Sequence, residues 1–83
     1  MKKYQMTDYF FSNVLIKRPY VSFEICRQII ESPIFMEKQF DGRVRFWGIF
    51  QEKYLRVVTL EDECTIHNAF FDRGFSLEKR GLG

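Results

Sequence analysis

The sequence predicts an α+β domain in which two N-terminal helices pack on one face of a sheet of three to four antiparallel strands. Apolar residues at helical spacing come first, between residues 7 and 31. Extended apolar runs then fill residues 40 to 71, with short polar segments between them. The length of 83 residues predicts a single domain, 1–83, with residues 78–83 as a frayed tail.

Composition favours a small independently folded protein. An aromatic content of 18% supplies enough large side chains for a core in a chain of this size, and the net charge of +2 is mild. Cys26 and Cys64 lie far apart and outside any Cys/His cluster, so we expect two small buried hydrophobes and no zinc site. No segment resembles a signal peptide or a membrane span. We therefore expect a cytoplasmic protein with no cofactor and no membrane contact.

The first helix is predicted from Tyr9 to Lys17, after a short edge strand over residues 2–6. Thr7 is a candidate N-cap because its hydroxyl can accept a backbone hydrogen bond. The helix is expected to end before Pro19, since the residue preceding a proline disfavours helical geometry.

The second helix is predicted from Phe23 to Glu31. Ser22 is its expected N-cap, and Ser32-Pro33 its expected end. Its apolar stripe consists of Phe23, Cys26, Ile29 and Ile30.

The rest of the chain predicts the sheet. Asp41-Gly42 is a strong signal for a hairpin with a type I′ turn. Two-residue turns are expected at Glu52-Lys53 and at Asp62-Glu63. The strands so defined are Ile34–Phe40, Arg43–Gln51, Tyr54–Leu60 and Cys64–Phe71.

Strand alternation separates the side chains into two faces. A second turn one residue longer would send His67 to the core face, and we favour the shorter turn. The predicted core face carries Val44, Phe46, Phe50, Leu55, Val57, Ile66 and Phe70. The opposite face carries Arg43, Arg45, Trp47, Ile49, Tyr54, Arg56, Val58, Thr65 and His67.

The basic residues of that opposite face are the first candidates for function. Arg43, Arg45 and Arg56 can bind phosphate through bidentate hydrogen bonds and stabilise negative charge that develops on it. The alternative is that they are ordinary solvated sheet residues, offset by nearby glutamates.

The remaining candidates carry proton-transfer and stacking chemistry. His67 can exchange a proton near neutral pH, or it can be structural. Tyr54 and Trp47 can stack on nucleic-acid bases, or they can shield the sheet. Asp72-Arg73 is expected to form a turn and a local ion pair.

The order of elements is similar to that of the RelE/ParE/BrnT-type toxins of bacterial type II toxin–antitoxin systems. The segments 41–48, 54–60 and 67–73 also resemble small uncharacterised bacterial protein families of the same superfamily. This resemblance implies a RelE-like fold and a metal-independent ribonuclease that activates the RNA 2′-hydroxyl against the adjacent phosphate.

The resemblance also implies partners and residue roles. The partners would be an antitoxin protein and RNA, free or on the ribosome. The alternative is a non-catalytic binding module of the same fold that has lost nuclease activity. The catalytic residues would be His67, Arg45 and Tyr54, and the RNA-binding residues Arg43, Arg56 and Trp47.

Overall fold

The computed structural model describes residues 3–80, within which the chain forms an α+β fold of five strands and two helices. The predicted class is confirmed. Lys2 of the predicted first strand and residues 81–83 of the predicted tail lie outside the described residues, while the start of that tail forms a 3-10 turn. In chain order the elements are β1 (Gln5–Met6), a π-helix (Phe10–Leu15), helix α1 (Phe23–Glu31), β2 (Phe35–Lys38), β3 (Val44–Phe50), β4 (Lys53–Thr59), β5 (Thr65–Phe71) and the 3-10 turn (Glu78–Arg80).

The sheet is larger than predicted and mixed in direction. Its strand order is β1-β5-β4-β3-β2, in which β2 to β5 are antiparallel neighbours. β1 lies parallel to β5, with Gln5 opposite Thr65 and Met6 opposite Ile66. A parallel pair needs a long crossover connection, and the intervening chain between β1 and β5 supplies it. The edge strand expected over residues 2–6 is present as Gln5–Met6, but the expected sheet of three to four antiparallel strands is a mixed sheet of five.

Helix α1 has the predicted bounds. The Ser22 hydroxyl accepts a hydrogen bond from the amide of Ile25 at 3.1 Å, which satisfies one of the free donors at the helix N-terminus. Pro33 follows the last turn. Neither this helix nor any other between residues 3 and 80 is long and apolar enough to cross a membrane. The buried residues of the helix are Cys26, Ile29 and Ile30.

The first helix is a six-residue π-helix, shorter than the predicted span from Tyr9 to Lys17. Asp8 and Tyr9 are already helical, and Thr7 precedes them. Its hydroxyl accepts from the amide of Phe10 at 3.1 Å, which is the bond expected of the predicted cap, although the residue next to the π-helix itself is Tyr9. After the helix the guanidinium of Arg18 donates to the backbone carbonyl of Ala69 in β5 at 2.9 Å. This contact ties the end of the helix to the sheet.

All three predicted turns differ from their predicted form. Between β4 and β5, residues 61–64 lie between the hydrogen-bonded Leu60 and Thr65, so the turn is longer than the predicted Asp62-Glu63. In the β2–β3 hairpin only Gly42 has a positive φ, +93°, so the turn is not of type I′. The β3–β4 turn falls at Gln51 and Glu52, both with positive φ, instead of at Glu52-Lys53. That change moves the register by two residues and places Trp47 opposite Arg56. Because a shift of two preserves strand alternation, the faces of β3 and β4 stay as predicted.

A β-bulge at His67 changes the faces of β5. Thr59 lies opposite Ile66, but the next residue back, Val58, lies opposite Asn68. The extra residue in β5 reverses the alternation beyond it. Ala69 joins the core, and the prediction that Phe70 is a core residue is wrong.

Both helices cover the same face of the sheet, which we call the helix face. It shares one hydrophobic core with the helices. We call the opposite side, which carries Arg45, Trp47, Arg56, Val58 and Phe70, the outer face. The core residues of the sheet are Val44, Phe46, Leu55, Val57, Ile66 and Ala69, and those of the helices and their connection are Phe10, Val14, Val21, Cys26, Ile29 and Ile30.

Gly48 sets the distance between helix α1 and β3. A Cβ atom at this position would lie 2.7 Å from Cγ1 of Ile29. We predict that Gly48→Ala lowers the free energy of unfolding by about 1–3 kcal/mol, because the helix must move to relieve the overlap. Urea unfolding followed by circular dichroism measures this change.

Gly74→Ala is the matched control for this substitution. The nearest atom to its added Cβ would be Oδ1 of Asp72 at 3.7 Å, an ordinary contact. It should change the unfolding free energy by no more than about 0.5 kcal/mol. Equal effects of the two substitutions would contradict the packing described for Gly48.

Candidate nucleic-acid interface

The C-terminal segment covers one half of the outer face. The Phe75 ring stacks on Trp47 with centroids 4.7 Å apart, and the Tyr54 ring meets Phe75 edge-on at 4.9 Å. Trp47 has no exposed surface, so its indole cannot stack on a base. The structure therefore places Trp47 and Tyr54 in an aromatic layer beneath the chain end, which is the shielding alternative raised for both.

Asp72 fastens this layer to the sheet. Its Oδ2 accepts hydrogen bonds from Trp47 Nε1 at 2.9 Å, from Arg56 Nε at 3.0 Å and from Arg56 Nη2 at 2.6 Å. Its Oδ1 accepts from the amide of Gly74. Burial by itself would raise the pKa of Asp72, but the hydrogen bonds from Trp47 and Arg56 and the Arg56 charge outweigh it and lower that pKa. Asp72 thus pairs with Arg56, and not with Arg73 as predicted.

Arg56 stands at the boundary between the covered half and the open half of the outer face. Its guanidinium lies 4.8 Å from the ring centroid of Phe70 and 5.5 Å from that of Trp47. The ion pair with Asp72 occupies Nε and Nη2. Arg56 is therefore held rigidly, with much of its hydrogen-bonding capacity already used by the protein.

The open half of the outer face forms a cleft with a volume of about 540 Å³. It brings together four of the six predicted site residues. The cleft is lined by Tyr9, Gln39, Phe40, Asp41, Arg43, Arg45, Arg56, Val58, His67, Asn68 and Phe70.

Arg43 and Arg45 are the available cations of the cleft. Arg45 Nη1 lies 3.8 Å from Oε1 of Glu37, a loose ion pair at the cleft margin. The exposed Arg43 follows the β2–β3 turn, where its amide donates to Oδ1 of Asp41 at 3.0 Å. Within residues 3–80 its guanidinium has no ion-pair partner. A phosphate group entering the cleft would therefore meet one unpaired guanidinium and one weakly paired guanidinium.

His67 lies on the cleft side of β5, the face predicted for it, although the β4–β5 turn is longer than the predicted two residues. Its Nδ1 is 3.0 Å from the hydroxyl oxygen of Thr7, and its ring stacks on Tyr9 with centroids 5.0 Å apart. Burial lowers the pKa of His67, and the positive charge of Arg43 lowers it further. The imidazole is thus neutral at pH 7, with Nε2 left for a ligand.

Seven of the lining residues were not among the sequence candidates, and three of them, Tyr9, Phe40 and Asn68, offer groups that a ligand could contact. Tyr9 and Asn68 flank His67, and Phe40, at the tip of the β2–β3 turn, has the full exposure of an isolated side chain. The exposure of Phe40 could have been predicted from its position beside Asp41-Gly42, because a side chain at the tip of a turn has no core in which to be buried. Tyr9 and Asn68 gave no such signal, since their positions depend on the contact between the π-helix and β5.

Neither a metal site nor a similar protein indicates the function. No group of three His, Cys, Asp or Glu side chains between residues 3 and 80 is arranged to hold a metal ion. Comparisons with protein-family models, with curated proteins and with solved structures find no match to this chain. The cleft is therefore the feature from which a function can be inferred.

The Asp72 contacts yield a stability prediction. Asp72→Asn should lower the free energy of unfolding by about 1–3 kcal/mol, because Arg56 loses its charged partner in a largely buried setting. Since the folded pKa of Asp72 is lowered, its contribution is present above about pH 4 and is lost as the pH falls through the folded pKa. Urea unfolding at pH 7 and at pH 3 should show the difference from wild type shrinking in acid.

Glu24→Gln is the control, because it also removes a carboxylate that pairs with an arginine. That carboxylate pairs with Arg27 on the exposed side of helix α1. Water replaces such surface pairs at little cost. A loss for Glu24→Gln as large as that for Asp72→Asn would contradict the anchoring role of Asp72.

Proposed function

We propose that the cleft binds single-stranded RNA. The observation that carries this proposal is the presence of arginine guanidinium groups, a histidine and exposed aromatic rings in one concave surface. Arginines bind the phosphates, while the rings of Tyr9 and Phe40 offer surfaces on which unstacked bases can stack. Duplex RNA would find no such use for the rings, because its bases are already stacked.

We further propose that the bound RNA is cleaved without a divalent metal ion. In this mechanism Nε2 of His67 takes the proton of a ribose 2′-hydroxyl, whose oxygen then attacks the adjacent phosphorus. The bond from phosphorus to the 5′-oxygen breaks, and that oxygen takes a proton from water. Arg43 and Arg45 stabilise the charge that develops on the phosphate. The products are a 2′,3′-cyclic phosphate and a 5′-hydroxyl end.

The contact between His67 and Thr7 supports this role. With the ring proton on Nδ1, the Thr7 hydroxyl oxygen accepts hydrogen bonds from both Nδ1 and the amide of Phe10. That tautomer leaves Nε2 as the proton acceptor. The lowered pKa of His67 keeps the ring in the neutral, basic form at pH 7.

A RelE-like toxin is the biological role that we propose for this activity. The order of one strand, two helices and a run of antiparallel strands supports it, as does the basic cleft. The proposed partners are RNA, free or on the ribosome, and an antitoxin protein that neutralises the toxin by covering the cleft or the helices. The proposed location is the cytoplasm.

A non-catalytic RNA-binding module is the second candidate. The observation that favours it is the structural role of His67, whose contacts with Thr7 and Tyr9 connect β5 to the start of the first helix. This structural role would explain why a histidine lies in the cleft without any proton transfer. Arg43 and Arg45 would then bind phosphate with no reaction to follow.

RNA binding tests the function shared by both candidates. Arg43→Gln and Arg45→Gln should each weaken binding of a short single-stranded RNA about five- to tenfold, because each removes a charge-assisted phosphate contact. Each should also reduce the slope of log K against log salt by about 0.7. Fluorescence anisotropy at several salt concentrations measures both quantities.

Lys17→Gln is the control for this experiment, since it removes an exposed cation outside the cleft. It should leave the affinity nearly unchanged. Equal losses in all three variants would mean that RNA responds only to net charge, and the cleft would lose its assigned role.

Cleavage separates the two candidates. His67→Asn should retain RNA binding but cut the cleavage rate about 10²- to 10⁴-fold, because the asparagine amide can still bind Thr7 but cannot take a proton. The wild-type rate should hold at pH 7 and fall only below about pH 6.5, since the pKa of His67 is lowered. Labelled RNA with EDTA present, resolved on a denaturing gel, gives these rates.

Two results would favour the binding module over the nuclease. One is the absence of cleavage by the wild-type protein at any pH, despite RNA binding. The other is cleavage that His67→Asn leaves unchanged. In cells, induced expression of the wild type should arrest bacterial growth and His67→Ala or Arg45→Ala should relieve the arrest, so harmless wild-type expression would count against the toxin.

A further inference from the structure

Asn68 has its side-chain oxygen fully committed to the protein. Oδ1 accepts a hydrogen bond from Arg18 Nη1 at 3.1 Å and another from the amide of Ala69 at 2.9 Å. Both partners are donors without acceptor capacity, so the atom that faces them must be the oxygen and not the amide nitrogen. The orientation of the asparagine is therefore fixed by its surroundings.

The amide nitrogen of Asn68 is left for a ligand. Within residues 3–80, Nδ2 has no hydrogen-bond partner, and no buried side-chain nitrogen or oxygen lacks one. Nδ2 is thus accessible to solvent, and Asn68 lines the cleft beside His67. Asn68 therefore adds to the cleft lining a side chain whose acceptor oxygen is occupied and whose remaining polar group is the N–H pair of Nδ2.

We propose that Asn68 gives the cleft a preference for RNA bases with a carbonyl oxygen at the position where the competing base carries an amino group, that is, for uracil (O4) over cytosine (N4) and for guanine (O6) over adenine (N6). This inference rests on the proposed RNA binding and adds the identity of the base beside His67. An amide free to use both atoms can pair with adenine, which offers a donor and an acceptor together. With Oδ1 occupied, Asn68 can only donate.

Uracil and cytosine make the sharpest comparison. They have the same ring size, but uracil carries the acceptor O4 where cytosine carries the donor amino group N4. Donation from Nδ2 to O4 forms a hydrogen bond, whereas the amino group of cytosine would leave two donors facing each other. One neutral hydrogen bond gained predicts about a fivefold preference for uracil.

Asn68→Asp inverts this chemistry while keeping the internal contacts. A carboxylate oxygen can still accept from Arg18 and from the amide of Ala69, and the second oxygen would replace the donor Nδ2 with an acceptor. The variant should therefore bind both RNAs more weakly, because it adds a negative charge. It should also prefer cytosine, whose amino group can donate to the new oxygen.

The experiment measures the ratio of affinities for oligo(U) and oligo(C) of equal length by fluorescence anisotropy. Asn13→Asp is the matched control, because Oδ1 of Asn13 also accepts from a cation, Lys17, and Asn13 does not line the cleft. Wild type and Asn13→Asp should both favour oligo(U) about fivefold. Asn68→Asp should favour oligo(C) or show no preference.

Each outcome decides a separate claim. Equal wild-type affinities for the two RNAs would overturn the base preference and leave RNA binding in place, a result that does not depend on the stability of any variant. A wild-type preference that survives in a folded Asn68→Asp protein would overturn the assignment to Asn68. Failure of the wild type to bind either RNA would overturn the proposed function together with this inference.

Discussion

The β-bulge at His67 is the constraint on which the cleft depends. Without the extra residue, regular alternation from Ile66 would turn the side chain of Asn68 toward the helices, and that of Phe70 with it. The bulge keeps His67 and Asn68 together opposite Val58, on the outer face. It also delivers the small side chain of Ala69 to the core. One inserted residue thereby places a proton acceptor and an amide donor side by side without disturbing the packing beneath them.

The Asp72 contacts determine how much of the outer face remains open. Asp72 holds Trp47 and Arg56 through a single oxygen, and Phe75 covers the indole. The aromatic layer therefore ends at Arg56, and the cleft begins there. A small sheet with helices on one side leaves its other side exposed to water. In this chain the C-terminal segment, through Phe75, covers part of that side. The guanidinium of Arg43, which has no ion-pair partner among residues 3–80, lies in the uncovered half.

Local signals allowed much of this fold to be predicted from the sequence. Ser22 and Pro33 allowed both ends of helix α1 to be predicted, because capping and proline effects act within a few residues. The β3–β4 turn was predicted at the wrong position, but the resulting register error was two residues and therefore left the assignment of side chains to the two faces unchanged. The bulge and the parallel pairing of β1 could not be predicted, because both depend on contacts between segments that are distant in sequence. Strand alternation was enough to place Arg43, Arg45, Arg56 and His67 on one face. Tyr9 and Asn68 were missed because their positions in the cleft depend on such distant contacts.

The proposed RNA-binding surface lies in one region of the molecule, and its location can be measured directly. Backbone amide chemical shifts of isotope-labelled protein, followed by NMR during titration with a short single-stranded RNA, report that location residue by residue. If RNA occupies the cleft, the largest shifts fall in the β2–β3 turn, around Arg45 and Val58, and at His67 and Asn68. Shifts confined to the exposed side of helix α1, or no shifts at all, would contradict this location.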